Sequence, residues 1–97
     1  MITHNQQQTL EANVLRRLLQ HLDENKDIQN IDLMIHAGFC RNCLSKWYLE
    51  AAEESDICLS LEETQQAIYG MPYKEWKDKH QLPASKEQLD LLAIKNR

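Results

Sequence analysis

Glycine and proline are scarce in this chain, two of each in 97 residues. A protein built from short strands needs such residues at its many turns, so the shortage argues against a sheet. No stretch sustains the period-2 alternation of a strand; apolar residues recur at spacings of three and four instead. Aromatic residues make up only 6 %, so a core must draw mainly on Leu, Ile and Ala. Long apolar runs are missing too. The longest, LMIHAGF, falls far short of the roughly 20 residues of a membrane span, and the opening MITHNQQQTLEANV lacks the basic start and apolar stretch of a secretory signal.

Basic residues are absent between Trp47 and Tyr73, where Glu50, Glu53, Glu54, Asp56, Glu62 and Glu63 fall. With a net charge of −4, the chain lacks the clustered Lys and Arg of a nucleic-acid footprint, and an anionic membrane surface is disfavoured for the same reason. The acidic run reads as a solvated helix face. A reducing, cytoplasmic setting is expected, in which three cysteines serve as thiols, ligands or core residues rather than disulfide partners.

What is present reads as a single all-α domain of about five helices. Leu10, Val14, Leu15, Leu18, Leu19 and Leu22 form one stripe on a helix over about 6–22. Asn30 or Asp32 can cap a second helical region reaching about residue 54, with a possible break at Gly38. Projected as one helix, that region places Leu33, Ala37, Cys40, Leu44, Trp47, Tyr48 and Ala51 on one face. Arg41, Asn42, Ser45, Lys46 and Glu53 fall on the other. Ser60 with Glu63 is a capping box opening a helix over 60–69, which Gly70 and Pro72 end. Pro72 suits the start of a helix over 72–80, with Tyr73, Trp76 and His80 on one side. Ser85 with Gln88 opens a last helix over 85–94, with Lys95 and Arg97 near its negative end.

The chemistry-bearing stretch is HAGFCRNCLSKWY, residues 36–48. Cys40 and Cys43 stand at CxxC spacing and His36 lies four residues before Cys40, so either pair could chelate from a helix. A structural zinc normally takes four protein ligands. No second CxxC or HxxxH supplies them, leaving Cys58, a distant His or a second subunit to complete a site. A redox dithiol is the second reading: with a helix restarting after Gly38, Cys40 would sit at its positive end beside Arg41. The absence of strands speaks against the usual βαβ setting. Packing is the third and leading reading, because free cysteine is among the most buried residue types. Two glycines leave no phosphate loop, and no cofactor is expected. Tyr69, Met71, Tyr73 and Trp76 cluster at a turn, as a packed elbow or an aromatic anchor for a partner.

The blocks NIDLMIHAGFCRNCLSKWYLEAAEE and IYGMPYKEWKDKHQ resemble an uncharacterised family of short bacterial proteins, a domain of unknown function. Its members carry DxQNIDLMxxAGFCRNCLxxWY and YGMPYxxWK. The resemblance spans about residues 25–81. It implies a compact helical protein, dimeric, and no activity. Arg41, Asn42, Trp47 and Tyr48 fall on the first motif, and Tyr69, Met71, Tyr73 and Trp76 on the second; the pattern leaves His36 unfixed. Asn42 lies opposite the projected apolar stripe, an arrangement that would suit a polar contact across a subunit interface or into a groove. The expectation is a homodimeric interaction or scaffold protein without catalytic activity, a form small chains favour because pairing buries an otherwise wet face. The alternative is a metal-binding or thiol-redox protein using Cys40 and Cys43.

Overall fold

In a computed structural model, described over residues 1–96, the chain forms six helices. These are α1 (His4–Glu24), α2 (Asn30–Ala37), α3 (Arg41–Glu54), α4 (Leu61–Tyr69), α5 (Tyr73–His80) and α6 (Lys86–Lys95). No strand occurs among the described residues. Arg97 lies outside them.

The region read over 31–54 with a possible break at Gly38 does break there, into two helices. Gly38 closes α2 in the left-handed conformation at φ +77°, and its N–H returns to the Leu33 and Met34 carbonyls. Phe39 and an extended Cys40 then turn the chain into α3. This break resets the helical phase, and the projected faces shift with it. Arg41, Leu44, Ser45 and Ala52 form the buried side of α3, whereas Trp47, Tyr48 and Ala51 face outward.

Caps explain most other boundaries. Thr3 and Gln6 form a capping box that starts α1 two residues before the leucine stripe indicates. Gln29 holds the cap position of α2 in place of Asn30 or Asp32; Asp32, three residues on, accepts from the Gln29 N–H at 3.2 Å. That geometry frees the Asn30 side chain for another use. Ser60 with Glu63 and Ser85 with Gln88 form the expected boxes for α4 and α6. Gly70 ends α4 at φ +74°.

The most extensive pairing sets α3 against α4, with α5 folded back from the Gly70 elbow. Ser45 and Thr64 are wholly buried at that pairing, and each turns its hydroxyl onto its own helix, to the Arg41 and Leu61 carbonyls. Small residues satisfied in this way let two backbones approach without stranding a polar group. The core is Leu22, Leu44, Ile68, Tyr69 and Trp76, with Leu18, Leu19, Leu33, Phe39 and Met71 around it. Helix α6 lies on α2, tied at one end by Gln88 to Asp32 (2.9 Å) and at the other by Lys95 to the Ile35 carbonyl (3.0 Å). The acidic residues between Trp47 and Tyr73 are all exposed, as a solvated face requires.

Helix α1 is different. Its last turns reach the core through Leu18, Leu19 and Leu22, but every residue from His4 to Val14 is exposed. At 1.5 Å per residue its 21 residues span about 30 Å, so half of it overhangs the body.

The break at Gly38 yields a first prediction. A Cβ there would meet only the end of Lys95 at 3.9 Å, so Gly38→Ala should introduce no clash and cost only the left-handed backbone penalty. The expected loss in urea unfolding is about 1 kcal/mol, with an unchanged m-value; no loss would remove the conformational account of the break.

Candidate functional site

The first turn of α3 carries the centre of the molecule. Arg41 is 3 % exposed, although the sequence projection placed it on the wet face. Its guanidinium donates to the Ile28 carbonyl at 2.7 Å and the Asn30 Oδ1 at 3.1 Å through one nitrogen. Through the other it donates to the Leu22 and Asn25 carbonyls at 3.3 and 3.1 Å. The indole of Trp76 lies beneath, 5.0 Å from the guanidinium carbon to the ring centroid. No described carboxylate makes a salt bridge with it. Its charge is balanced by main-chain oxygens at the negative end of α1, by the amide of Asn30 and by the π-face of Trp76. Burial pulls the guanidinium below its ordinary value, and Tyr69, Cys40 and Asp27 oppose that pull; it stays charged regardless.

From Arg41 the network runs outward. Asn30 accepts the Arg41 N–H at 3.3 Å and donates to the Tyr69 hydroxyl at 3.1 Å. Tyr69 donates to the Asn42 Oδ1 at 2.8 Å, and Asn42 donates to the Tyr73 hydroxyl at 3.4 Å. Burial pushes the Tyr69 phenol well above the ordinary tyrosine range. Its ring stacks obliquely on Tyr73 and Trp76, with centroids 5.1 and 4.9 Å away, and Trp76 meets His80 at 5.6 Å. Tyr69 and Trp76 therefore face inward as a packed elbow, with Met71 and Tyr73 half-buried beside them. Asn42 makes its polar contacts within the chain, at the edge of a cleft of about 240 Å³ between α2, α3, α5 and the loop after α5.

The two cysteines come together. Cys40 caps α3, and its Sγ lies 3.7 Å from that of Cys43, both thiols free and half-buried. The first requirement of a dithiol, a cysteine at a helix start, is thus met. The second, a stabilised thiolate, is opposed, because burial raises Cys40 above its ordinary value despite the Cys43 and Asn42 backbone N–H groups. His36 is exposed in the last turn of α2 and Cys58 is exposed in the α3–α4 loop. Among the described residues no group of three or more His, Cys, Asp or Glu is placed to hold a metal ion.

Trp47 and Tyr48 project outward on α3. Trp47 is 53 % exposed, with one face lying 6.4 Å from Phe39 in a near-parallel stack. Beside them Leu15, Leu44, Ala51 and Ile68 complete an apolar groove of about 220 Å³.

These features define a small all-helical protein organised by a buried arginine network, with no described helix long and apolar enough to cross a membrane. Residues 28–93, about two thirds of the chain, match the model of a family described as "Protein of unknown function (DUF1244)". The chain belongs to that family. The match covers α2 to α5 and most of α6 and leaves α1 outside. A comparison with curated proteins finds no match.

Sequence reasoning marked Asn30, Arg41 and Asn42 as motif residues without finding what joins them. Gln29, which is buried and holds the loop after α5, stands as the Q of the first motif but was given no role there. A buried glutamine leaves no periodic signature.

Two predictions follow from this geometry. Arg41→Ala should cost about 3 to 5 kcal/mol in urea unfolding, since four acceptors lose their donors inside the fold. Arg41→Lys should recover only part of that, because an ammonium cannot span the same acceptors. A loss below about 1 kcal/mol would dismiss the network as the organising element. For the thiols, a raised pKa means less thiolate at any given pH. The exposed Cys58 should react before the half-buried Cys40 with a disulfide reagent, and Cys40 labelling should still be accelerating above the ordinary thiol range. A fast, pH-independent Cys40 would contradict the burial effect.

Proposed function

We propose that this protein is an interaction module without catalytic activity, and that it works as a homodimer in a reducing cytoplasm. The observation that carries the proposal is the overhang of α1 beside the apolar groove. Leu10 and Val14, one turn apart, are 52 % and 68 % exposed, and Val14 adjoins Leu15 on the groove wall. The overhang thus leads exposed apolar side chains up to the groove, and a monomer leaves both wet.

A second copy is the occupant that fits best. An amphipathic helix enters an apolar groove through residues spaced i, i+4, and the overhang presents Leu10 and Val14 at that spacing. Two-fold pairing makes the contact reciprocal, each α1 entering the groove of its partner. Charge permits it: from His4 to Leu15 the helix has Glu11 as its one acidic residue, so it can approach the acidic face around Glu50 and Glu54 with little repulsion. The network supports this reading from within, since Arg41, Asn42, Tyr69 and Trp76 are engaged with one another and with the backbone, as structural residues are. The three free thiols suit a reducing compartment.

A metal or dithiol role for Cys40 and Cys43 is the second reading. It draws on their 3.7 Å separation at the start of α3, and the burial that raises Cys40 works against it.

Sedimentation of the full chain tests the dimer. The native protein is expected to sediment as a dimer, and Val14→Glu and Trp47→Glu, both at exposed positions, should yield folded monomers with unchanged helical circular dichroism. A native monomer, or variants that remain dimeric, would overturn the proposal; a monomer that binds a different protein through this face would identify another occupant.

A further inference from the structure

The geometry points to a second site, a binding cleft for a small neutral ligand bearing a carbonyl or carboxamide oxygen, between the starts of α2, α3 and α5 and the loop 81–84. It does not depend on the homodimer, and its lining shares no residue with the apolar groove.

Three observations carry the inference. First, the wall is built. The loop is held by Gln29, 7 % exposed, whose Nε2 donates to the His80 carbonyl at 3.0 Å while its Oε1 accepts the Leu82 N–H at 2.8 Å. A buried amide bonded on both sides fixes that wall in place before any ligand arrives. Second, no charged residue lines the cleft, in a chain where 27 % of residues are charged. An ionised ligand would lose its hydration there without gaining a counter-charge, which disfavours acids and amines. Third, hydrogen-bonding capacity is left over at the floor. The Tyr73 hydroxyl accepts one long bond from Asn42 and donates none among the described residues, and Asn42 Nδ2 keeps a second hydrogen. Two donors side by side recognise an acceptor oxygen. Leu82 and Pro83 offer an apolar wall for the ligand body. At about 240 Å³ the cleft is smaller than a drug-sized pocket of about 300 Å³ or more, so the ligand is the size of one ring and its substituent.

Benzamide and benzoate, matched in shape and differing in charge, are the probes. In a ¹⁵N-resolved NMR titration of the full chain, benzamide should shift the Asn42 side-chain amide and the Ile31 and Leu82 N–H signals, and bind more tightly than benzoate. Tyr73→Phe should weaken binding about fivefold, the loss of one hydrogen bond. Leu82→Ala, at a position 67 % exposed, should weaken it without disturbing the fold. Shifts that are absent or scattered over the surface would overturn the proposal. Benzoate binding as well as benzamide would also overturn it, by removing the preference for a neutral ligand. Unchanged affinity in both variants would do the same.

Discussion

A buried guanidinium without a carboxylate partner among the described residues is the constraint on which this structure depends. Taking Arg41 out of water is tolerable only because four oxygens and an indole face receive it. Those acceptors come from the end of α1, the α1–α2 loop, the start of α2 and the middle of α5. Satisfying one side chain therefore sets the positions of four elements around the first turn of α3. The planar fork of arginine suits this task, since it reaches divergent carbonyls at once.

Helix α3 divides its labour along its length. Its first turn turns inward, with Arg41 in the carbonyl cage and Asn42 held by Tyr69, and its middle turns outward with Trp47, Tyr48 and Ala51. The packed core is small: among the described residues, Trp76, Tyr69, Ile68, Leu44 and Leu22 are its buried apolar side chains larger than alanine. Half of α1 adds nothing to that core, since its residues from His4 to Val14 are exposed. The inward turn also places Asn42 at the cleft, beside the Tyr73 hydroxyl of α5.

The fold class and most boundaries were legible in the sequence because they rest on local signals. Ser60 with Glu63, Ser85 with Gln88, Gly70 and Pro72 act within a turn or two of themselves, and the helices they mark lie where expected. Thr3 with Gln6 is the same kind of signal and equally readable. The faces of α3 were not legible. Periodicity assumes an unbroken axis, and the three-residue turn at Gly38 to Cys40 removes it; periodicity also assigns every charged residue to water. Arg41 breaks that rule through partners 11 to 19 residues away, which no local pattern encodes. The resemblance placed Arg41 and Asn42 on one motif and Tyr69 on the other, and their connection appears only in three dimensions.

Three of the four oxygens that receive Arg41 belong to the main chain, at Leu22, Asn25 and Ile28. Every residue type carries that atom, so these three bonds do not depend on the side chains at those positions. The family match begins at residue 28, beyond the helix that is gripped. Helix α1 is thus held by two means, main-chain oxygens at its end and the side chains of Leu18, Leu19 and Leu22 in the core. The exposed turns from His4 to Val14 take part in neither, so their surface can vary while the interior stays as it is.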